Sequence, residues 1–204
     1  MKVAVIGAGS MGGGIARGLA PKHDVRIGSR TPEKGSAFAA EIGASFGGSN
    51  ADAVEGAEVV FLTVPWVAVD EILPQLGNLD GVALVDVTNP YVEGELKPHE
   101  GTSDAELIQA KVPSAHVVKG WNTVFSPIVN STPDFDGVAA SVFLAGDDGD
   151  AKAKVSSLAR DLGYDPVDSG PLENARSLER LMTSIGALGH PFDWGSWALR
   201  LVRR

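Results

Sequence analysis

The chain contains no cysteine, which excludes disulfides and thiolate chemistry and suits a cytoplasmic setting. It is also short of positive charge: 17 Lys and Arg against 26 Asp and Glu leave a formal net charge of −9. That field repels phosphate polymers and anionic bilayers, so neither nucleic acid nor a membrane is expected as a partner. No apolar run reaches transmembrane length, and strand-like sequence begins at once, so no signal peptide is expected. Four scattered histidines, His23, His99, His116 and His190, give no metal-ligand spacing without cysteine. Repeats and low-complexity linkers are absent too. What is there is ordinary globular material, 44% hydrophobic and 21% charged, enough for one large domain or one domain with a small lobe.

Residues 2–6, Lys-Val-Ala-Val-Ile, have the length and β-branched content of a buried strand. They run into Gly7-Ala8-Gly9-Ser10-Met11-Gly12, a G-x-G-x-x-G turn, and then into a helical stretch. Met11, Ile15 and Leu19 would face the sheet. Gly14 and Gly18 lie on an adjacent face, and because a helix-interior glycine costs about 1 kcal/mol relative to alanine, close backbone packing is expected there. A second strand at 24–28 completes strand, glycine turn, helix, strand, the context of a dinucleotide site. The backbone N–H groups around Gly7, Gly9, Ser10, Met11 and Gly12 would hold the pyrophosphate at a helix N-terminus. That arrangement needs no basic side chain, in keeping with an acidic chain.

The adenosine end separates NAD from NADP. NAD sites place an acid at the tip of the second strand, whereas here the tip reads Gly28-Ser29-Arg30, with Lys34 one turn on. A hydroxyl, a guanidinium and an ammonium suit a 2′-phosphate. NADP(H) is therefore the expected cofactor, with Glu33 the only dissonant charge. The plainer alternative is that Arg30 and Lys34 are a solvated helix start.

The remainder alternates. Thr31 and Pro32 look like a helix start, with the helix running to about Ile42 and stopping at Gly43. A short strand at 44–46 and a brief helix over 49–55 follow. Strands are expected at 58–64, 82–87, 116–119, 138–145 and 166–169, with helices at 103–110, 150–162 and 174–188. Residues 126–137 read as a loop. Pro74 should kink or restart the helix that carries Val69, Ile72, Leu73 and Leu76. Three central strands end in Val64-Pro65, Asn89-Pro90 and Gly120-Trp121-Asn122, and in a parallel sheet such carboxyl ends line the ligand crevice. The fold class expected is α/β, a Rossmann-type doubly wound, mostly parallel sheet with a C-terminal helical appendage. It would form one domain over 1–204, with a dinucleotide-binding core at 1–123 and a smaller lobe at 124–204.

Val-Ile-Gly-x-Gly-x-Met-Gly at 5–12, Gly-Ser-Arg-x-x-x-Lys at 28–34 and Thr-Val-Pro-Trp at 63–66 together resemble the F420-dependent NADP reductases. The resemblance continues through Asp-Val-Thr-Asn-Pro at 86–90, Val-Val-Lys-Gly-Trp-Asn-Thr at 117–123 and Asp-Ser-Gly-Pro-Leu at 168–172. The cytosolic reductase domain of membrane ferric reductases looks similar. What the resemblance implies is an oxidoreductase moving a hydride between nicotinamide C4 and C5 of the deazaflavin coenzyme F420, or a flavin-like acceptor. By position, Ser29, Arg30 and Lys34 would take the 2′-phosphate, and Val64, Pro65, Asn89 and Gly120 would line the nicotinamide side. The second ring would stack beside Trp66, Trp121 and Asn122, closed by the C-terminal segment. A homodimer is the family expectation.

Hydride exchange between juxtaposed rings needs orientation and dryness more than an acid or base, and no side chain stands out as a proton donor. Asn122 is the candidate to hydrogen-bond a ring carbonyl, or else simply a loop-fixing amide. His116 and His190 read as structural. Arg200, Arg203 and Arg204 either meet an anionic coenzyme tail or, more simply, complement a helix C-terminus. Two other readings stay open. One is a non-catalytic NADP(H) sensor whose crevice is filled by Trp66, Trp121, Phe125 and the aromatic tail. The other is a 3-hydroxyacid dehydrogenase or imine reductase, which would need a large helical domain.

Overall fold

A computed structural model describes residues 1–189 and 196–202 of the chain. The first half lays down β1 (Lys2–Ile6), α1 (Ser10–Leu19), β2 (Asp24–Gly28), α2 (Pro32–Ile42), β3 (Phe46–Gly48), α3 (Asn50–Val54), β4 (Val59–Leu62), α4 (Val69–Ile72) and β5 (Ala83–Asp86). A two-residue-per-arm hairpin of β6 (Tyr91–Val92) and β7 (Glu95–Leu96) leads to α5 (Asp104–Lys111) and β8 (His116–Lys119). Then come α6 (Ser126–Val129), a hairpin of β9 (Asp134–Phe135) and β10 (Val138–Ala139), β11 (Ser141–Gly146), α7 (Gly149–Asp161), β12 (Asp165–Asp168) and α8 (Ala175–Gly189).

Eight strands make one sheet in the order β12-β11-β8-β5-β4-β1-β2-β3. All its neighbouring pairs are parallel except β8 with β11. This is the Rossmann-type, doubly wound, mostly parallel sheet, and it continues unbroken past residue 123 through β11 and β12. The central strands read as unbroken apolar runs because both faces are covered. Val3, Val5, Val25, Ile27, Phe61 and Val85 pack under α1 and α7. Ala4, Ile6, Val60, Leu62 and Leu84 pack on the other side with Val54, Ile72 and Ile108. The α1 glycines serve close approach: a methyl on Gly14 would lie 2.7 Å from Val129 Cγ1, and one on Gly18 would overlap Leu162.

The chain winds from β1 out to β3, then returns to place β4 on the opposite side of β1. That reversal opens a crevice at the carboxyl ends of β1 and β4.

Several boundaries differ from expectation, each for a physical reason. The strand expected at 44–46 starts at Phe46, because Gly43 (φ 70) turns the chain left-handed and Ala44 N–H donates back to Ala39 O at 2.9 Å. β4 stops at Leu62, where the next side chain, Thr63, donates to the carbonyls of Ile6 and Gly7. Pro74 does restart the helix, as a 3₁₀ turn over Leu73–Gln75. The stretch 126–137 is not a plain loop: Pro127 sits in the first turn of α6, and Gly137 (φ 86) closes the β9–β10 hairpin. The expected strand at 138–145 therefore splits, because Val138 and Ala139 pair backwards and only Ser141 onward joins the sheet.

At the chain's end, Ser141 N–H donates to Leu199 O at 2.8 Å and Leu201 N–H to Ser141 Oγ at 3.0 Å. Arg200 does not cap a helix; it binds Asp165 and the Ala139 carbonyl, each at 2.9 Å. His190, most of the aromatic tail expected at 192–197, Arg203 and Arg204 lie outside the described residues. Trp197, at the tail's end, rests on Phe125 with ring centroids 4.6 Å apart.

Candidate active site

The glycine turn is shaped by what cannot be there. Gly7 adopts φ 99, open in practice only to glycine, and its N–H reaches Gly28 O at 3.1 Å. Thr63 Oγ1 lies 2.7 Å from both the Ile6 and Gly7 carbonyls, tying β4 to the turn. A methyl on Gly12 would fall inside 3.0 Å of the Gly7 carbonyl and the Thr63 hydroxyl, so the third glycine lets α1 start flush against the strand. Gly9 is different. It is the N-cap of α1 at φ −72, no side chain caps that end, and nothing lies within 4 Å of where its Cβ would point. The first N–H groups of a helix have no intrahelical partners, so Gly9, Ser10, Met11 and Gly12 frame an open cradle that fits an anionic pyrophosphate. Met11 also leans on the core, and the Ser10 carbonyl is held by Asn130 Nδ2 at 2.9 Å.

A cleft of about 270 Å³ continues from this cradle, bringing Gly7, Gly9, Ser29, Arg30, Lys34, Val64 and Pro65 together. Ser29 is fixed by its N–H to Gly48 O at 3.0 Å, and its hydroxyl accepts from Thr31 N–H at 3.2 Å. The Arg30 side chain is 67% exposed and only loosely paired with Glu71 at 3.9 Å, so its guanidinium is available to a ligand. Glu33 does not line the cleft. Thr31 starts α2 without a side-chain cap bond; Pro32 and the Gly43 stop carry that helix instead.

Thr63 and Asn50 also line the cleft, though neither was among the expected site residues. Asn50 is buried, donates to Gln75 Oε1 at 3.1 Å, and leaves its own Oδ1 without a partner. A buried orphan acceptor on the cleft wall fits a ligand hydroxyl. A larger hollow of about 580 Å³, lined among others by Ala57 and Val82, opens instead at the amino ends of β4 and β5.

The far side of the crevice departs further from expectation. Trp121 does not face a second ring. It is 1% exposed and packs edge-on against Phe61 and Tyr164, at 5.3 and 6.1 Å between centroids, because its φ of 56 turns the side chain into the core. Asn122 does not offer a donor to a ring carbonyl: its Nδ2 is already spent on Leu178 O at 3.0 Å and Asn89 Oδ1 at 3.2 Å. Its free group is the buried acceptor Oδ1. Asn89 completes the clasp by donating to Asn122 O at 2.8 Å. Gly120 is glycine for packing, since a methyl there would meet Leu144 Cδ2 at 2.8 Å. Trp66 stands edge-on to His99 at 5.6 Å. None of Trp66, Trp121 and Phe125 lines the cleft at the glycine turn.

Behind this wall lies a group of charges that the sequence reading did not assemble. Lys119 Nζ sits 2.8 Å from Asp86 Oδ2, 2.8 Å from the Thr88 carbonyl and 2.9 Å from Glu179 Oε1, the last at an angle that makes it a charge contact rather than a hydrogen bond. Asp104 accepts from Thr88 Oγ1 at 3.1 Å and meets His99 Nε2 at 2.9 Å. Its backbone N–H reaches Glu179 Oε2 at 3.2 Å. Lys119, Asp86 and Asp104 are fully buried and Glu179 is 1% exposed. Burial works against the Lys119 charge, but Asp86, Glu179 and Asp104 outweigh it and hold its pKa above the ordinary lysine value. Burial pushes the Asp104 carboxyl up to about 6, opposed by Lys119 and reinforced by Glu179 and Asp86. The signal was available: Asp86 and Lys119 end adjacent buried strands and are register partners.

Residues 2–90 match the family model described as NADP oxidoreductase, coenzyme F420-dependent. Over nearly its whole length the chain is also 30% identical to the F420-dependent NADP reductase of Methanocaldococcus jannaschii, covering 99% of this chain and 98% of that one. The chain belongs to the F420-dependent NADP oxidoreductase family. As such it is an NADP-linked oxidoreductase. A solved structure from Arthrobacter sp. FB24, described as a candidate F420-dependent NADP reductase, superposes with a TM-score of 0.88 at 32% identity over all of both chains. Rat metalloreductase STEAP3 is 31% identical across 88% of this chain, which spans only about a third of that protein, 36%. Among the described residues no helix is long and apolar enough to cross a membrane.

Proposed function

We propose that the chain transfers a hydride between NADP(H) and the deazaflavin coenzyme F420, in the crevice at the carboxyl ends of β1, β4, β5 and β8. The observation that carries the cofactor half is the open cradle at Gly9 leading to a β2 tip where Arg30 and Lys34, and no carboxylate, line the cleft. When bound, NADP(H) supplies or accepts the hydride at its nicotinamide C4. In this reading the first-turn N–H groups of α1 hold the pyrophosphate, and Ser29, Arg30 and Lys34 take the 2′-phosphate. The unpartnered Asn50 Oδ1 accepts from a ribose hydroxyl. Val64 and Pro65 keep one face of the nicotinamide dry, and the Asn89–Asn122 clasp, with Gly120 packed behind it, fixes the opposite wall. Trp66 remains the aromatic edge available to the second ring. Such a site works by orientation and exclusion of water.

The acceptor half rests on family membership. Cytoplasmic location and a homodimer belong to the same reading, and elution at monomer mass on gel filtration refutes the dimer. The deciding assay is bleaching of deazaflavin absorbance by NADPH and purified protein. Turnover with F420 and none with flavins supports the reading, while turnover with flavins alone moves the acceptor to a flavin. Tight NADPH binding with no turnover leaves a redox sensor.

A further inference from the structure

The buried ion cluster touches all three turns that end the central strands. Lys119 is the last residue of β8 and holds the Thr88 carbonyl after β5. Asp104, the first residue of α5, holds the Thr88 hydroxyl and reaches His99, whose ring abuts Trp66 after β4. Glu179 brings in α8, in which the neighbouring residue Leu178 accepts from Asn122 Nδ2 through its carbonyl.

The cluster is also unbalanced: three carboxylates, Asp86, Asp104 and Glu179, surround one ammonium where water is excluded. Net buried charge is expensive, and such a group relieves it by holding a proton. The raised pKa of Asp104 agrees with this. His99 is the member that meets solvent, with 29% of its side chain exposed. Arg180 also reaches this edge and donates to the His99 carbonyl at 3.2 Å, while Glu100 follows His99 in the chain and Lys97, two residues before it, is paired with Glu93 and Glu95. Arg176 and Glu106 pair with each other one turn along α5 and α8.

We propose that His99 and Asp104 are positioning residues that share one exchangeable proton and thereby hold the Trp66 and Thr88–Asn89 turns against the nicotinamide end of the NADP(H) site. With the proton in place, the His99–Asp104 contact is a charge-assisted hydrogen bond and the wall is firm. Without it, a neutral imidazole faces a carboxylate of a cluster with excess negative charge, and the wall loosens. The inference rests on the NADP(H) placement above, but part of its test does not.

The experiment compares wild type with H99Q, which keeps an N–H donor toward Asp104 without titrating, and H99L, which keeps neither. In the ligand-free protein, imidazole NMR should show the His99 resonance titrating together with a shift of the Trp66 indole signal, assigned by its loss in W66F. With NADPH, KM is measured from pH 6 to 8 as the ratio of wild type to H99Q, in which ionisation of the ligand's own phosphate cancels. That ratio should rise about fivefold with pH, the difference between a charge-assisted and a neutral hydrogen bond, with kcat changing less than KM. H99L should bind weakly throughout. A flat ratio, or a Trp66 signal indifferent to the His99 titration, overturns the proposal. Failure of every variant and of wild type to bind NADPH refutes the cofactor placement instead, and the ligand-free titration still decides the role of the pair.

Discussion

Gly9 and Gly12 are three residues apart in one turn, and the structure assigns them opposite sensitivities to the same added methyl group. At Gly9 the backbone (φ −72) suits any L-residue and the Cβ direction is empty to 4 Å. Gly9→Ala reduces the entropy of the unfolded chain by about 0.4–1 kcal/mol and loses roughly 0.5–1 kcal/mol as a poorer N-cap, so the two largely cancel and stability stays within about 1 kcal/mol. The methyl fills the cradle, however, and should displace the pyrophosphate from at least one charge-assisted bond, about 2 kcal/mol or ~30-fold in NADPH Kd. At Gly12 the methyl has nowhere to go, because the Gly7 carbonyl and Thr63 hydroxyl are bound to each other and neither is a flexible side-chain end. Gly12→Ala should cost about 2–4 kcal/mol of stability, lowering Tm by roughly 4–16 °C for a domain of this size. Thermal melts with NADPH titration followed by its fluorescence measure both. A Gly9→Ala protein that binds NADPH like wild type, or that melts as early as Gly12→Ala, refutes the cradle.

Arg30→Ala should weaken NADPH by ~1–3 kcal/mol and leave NADH almost unchanged in paired calorimetric titrations; equal losses would remove the 2′-phosphate assignment. Because the Asp104 carboxyl is raised to about 6 from 3.8, the folded chain keeps a proton that the unfolded chain releases. That contribution to stability is complete below pH 3.8 and disappears as pH rises through 6, a change on the order of 2–3 kcal/mol. Urea midpoints at pH 4.5 and 7 should therefore show this slope in wild type and not in D104N, and parallel behaviour would count against it. Lys119→Met should destabilise by about 3–5 kcal/mol, since it strands three buried carboxylates; a chevron or urea curve shifted by less than 1 kcal/mol would mean the cluster is wetter than its burial implies. Gly120→Ala should lose about 1–3 kcal/mol through overpacking against Leu144, read as a lower Tm with little change in the NADPH Kd of the folded fraction.

The parts legible from sequence were those written in contiguous residues. β1, β4 and β5 are mostly apolar because both sheet faces are covered, and the Gly7–Gly12 turn announces its neighbours on either side. Strand direction has no such trace: 141–146 alternates no differently for running antiparallel to β8, and Pro127 opens a helix in a stretch otherwise made of turn formers. The same division runs through the site. The glycine turn and the β2 tip are local, so it could be read in advance that Gly9, Arg30 and Lys34 come together along one cleft. The opposite wall depends on partners far apart in the chain, such as Lys119 with Asp86, 33 positions apart, and Asp104 with Glu179, 75 apart. Trp121 misled because a positive φ, which no composition rule assigns to tryptophan, turns it inward.

The last described residues are joined to the sheet where its direction changes. Ser141, the first residue of β11, takes Leu199 and Leu201 as partners, and Arg200 reaches across to Asp165 at the start of β12. A C-terminal deletion beginning near residue 196 therefore does more than shorten a tail. It unzips the margin of the two outermost strands and frees the Ser141 amide as a template for strand exchange. For anyone handling the protein, affinity tags belong at the other end, and limited proteolysis near the C-terminus should be monitored as a route to aggregation.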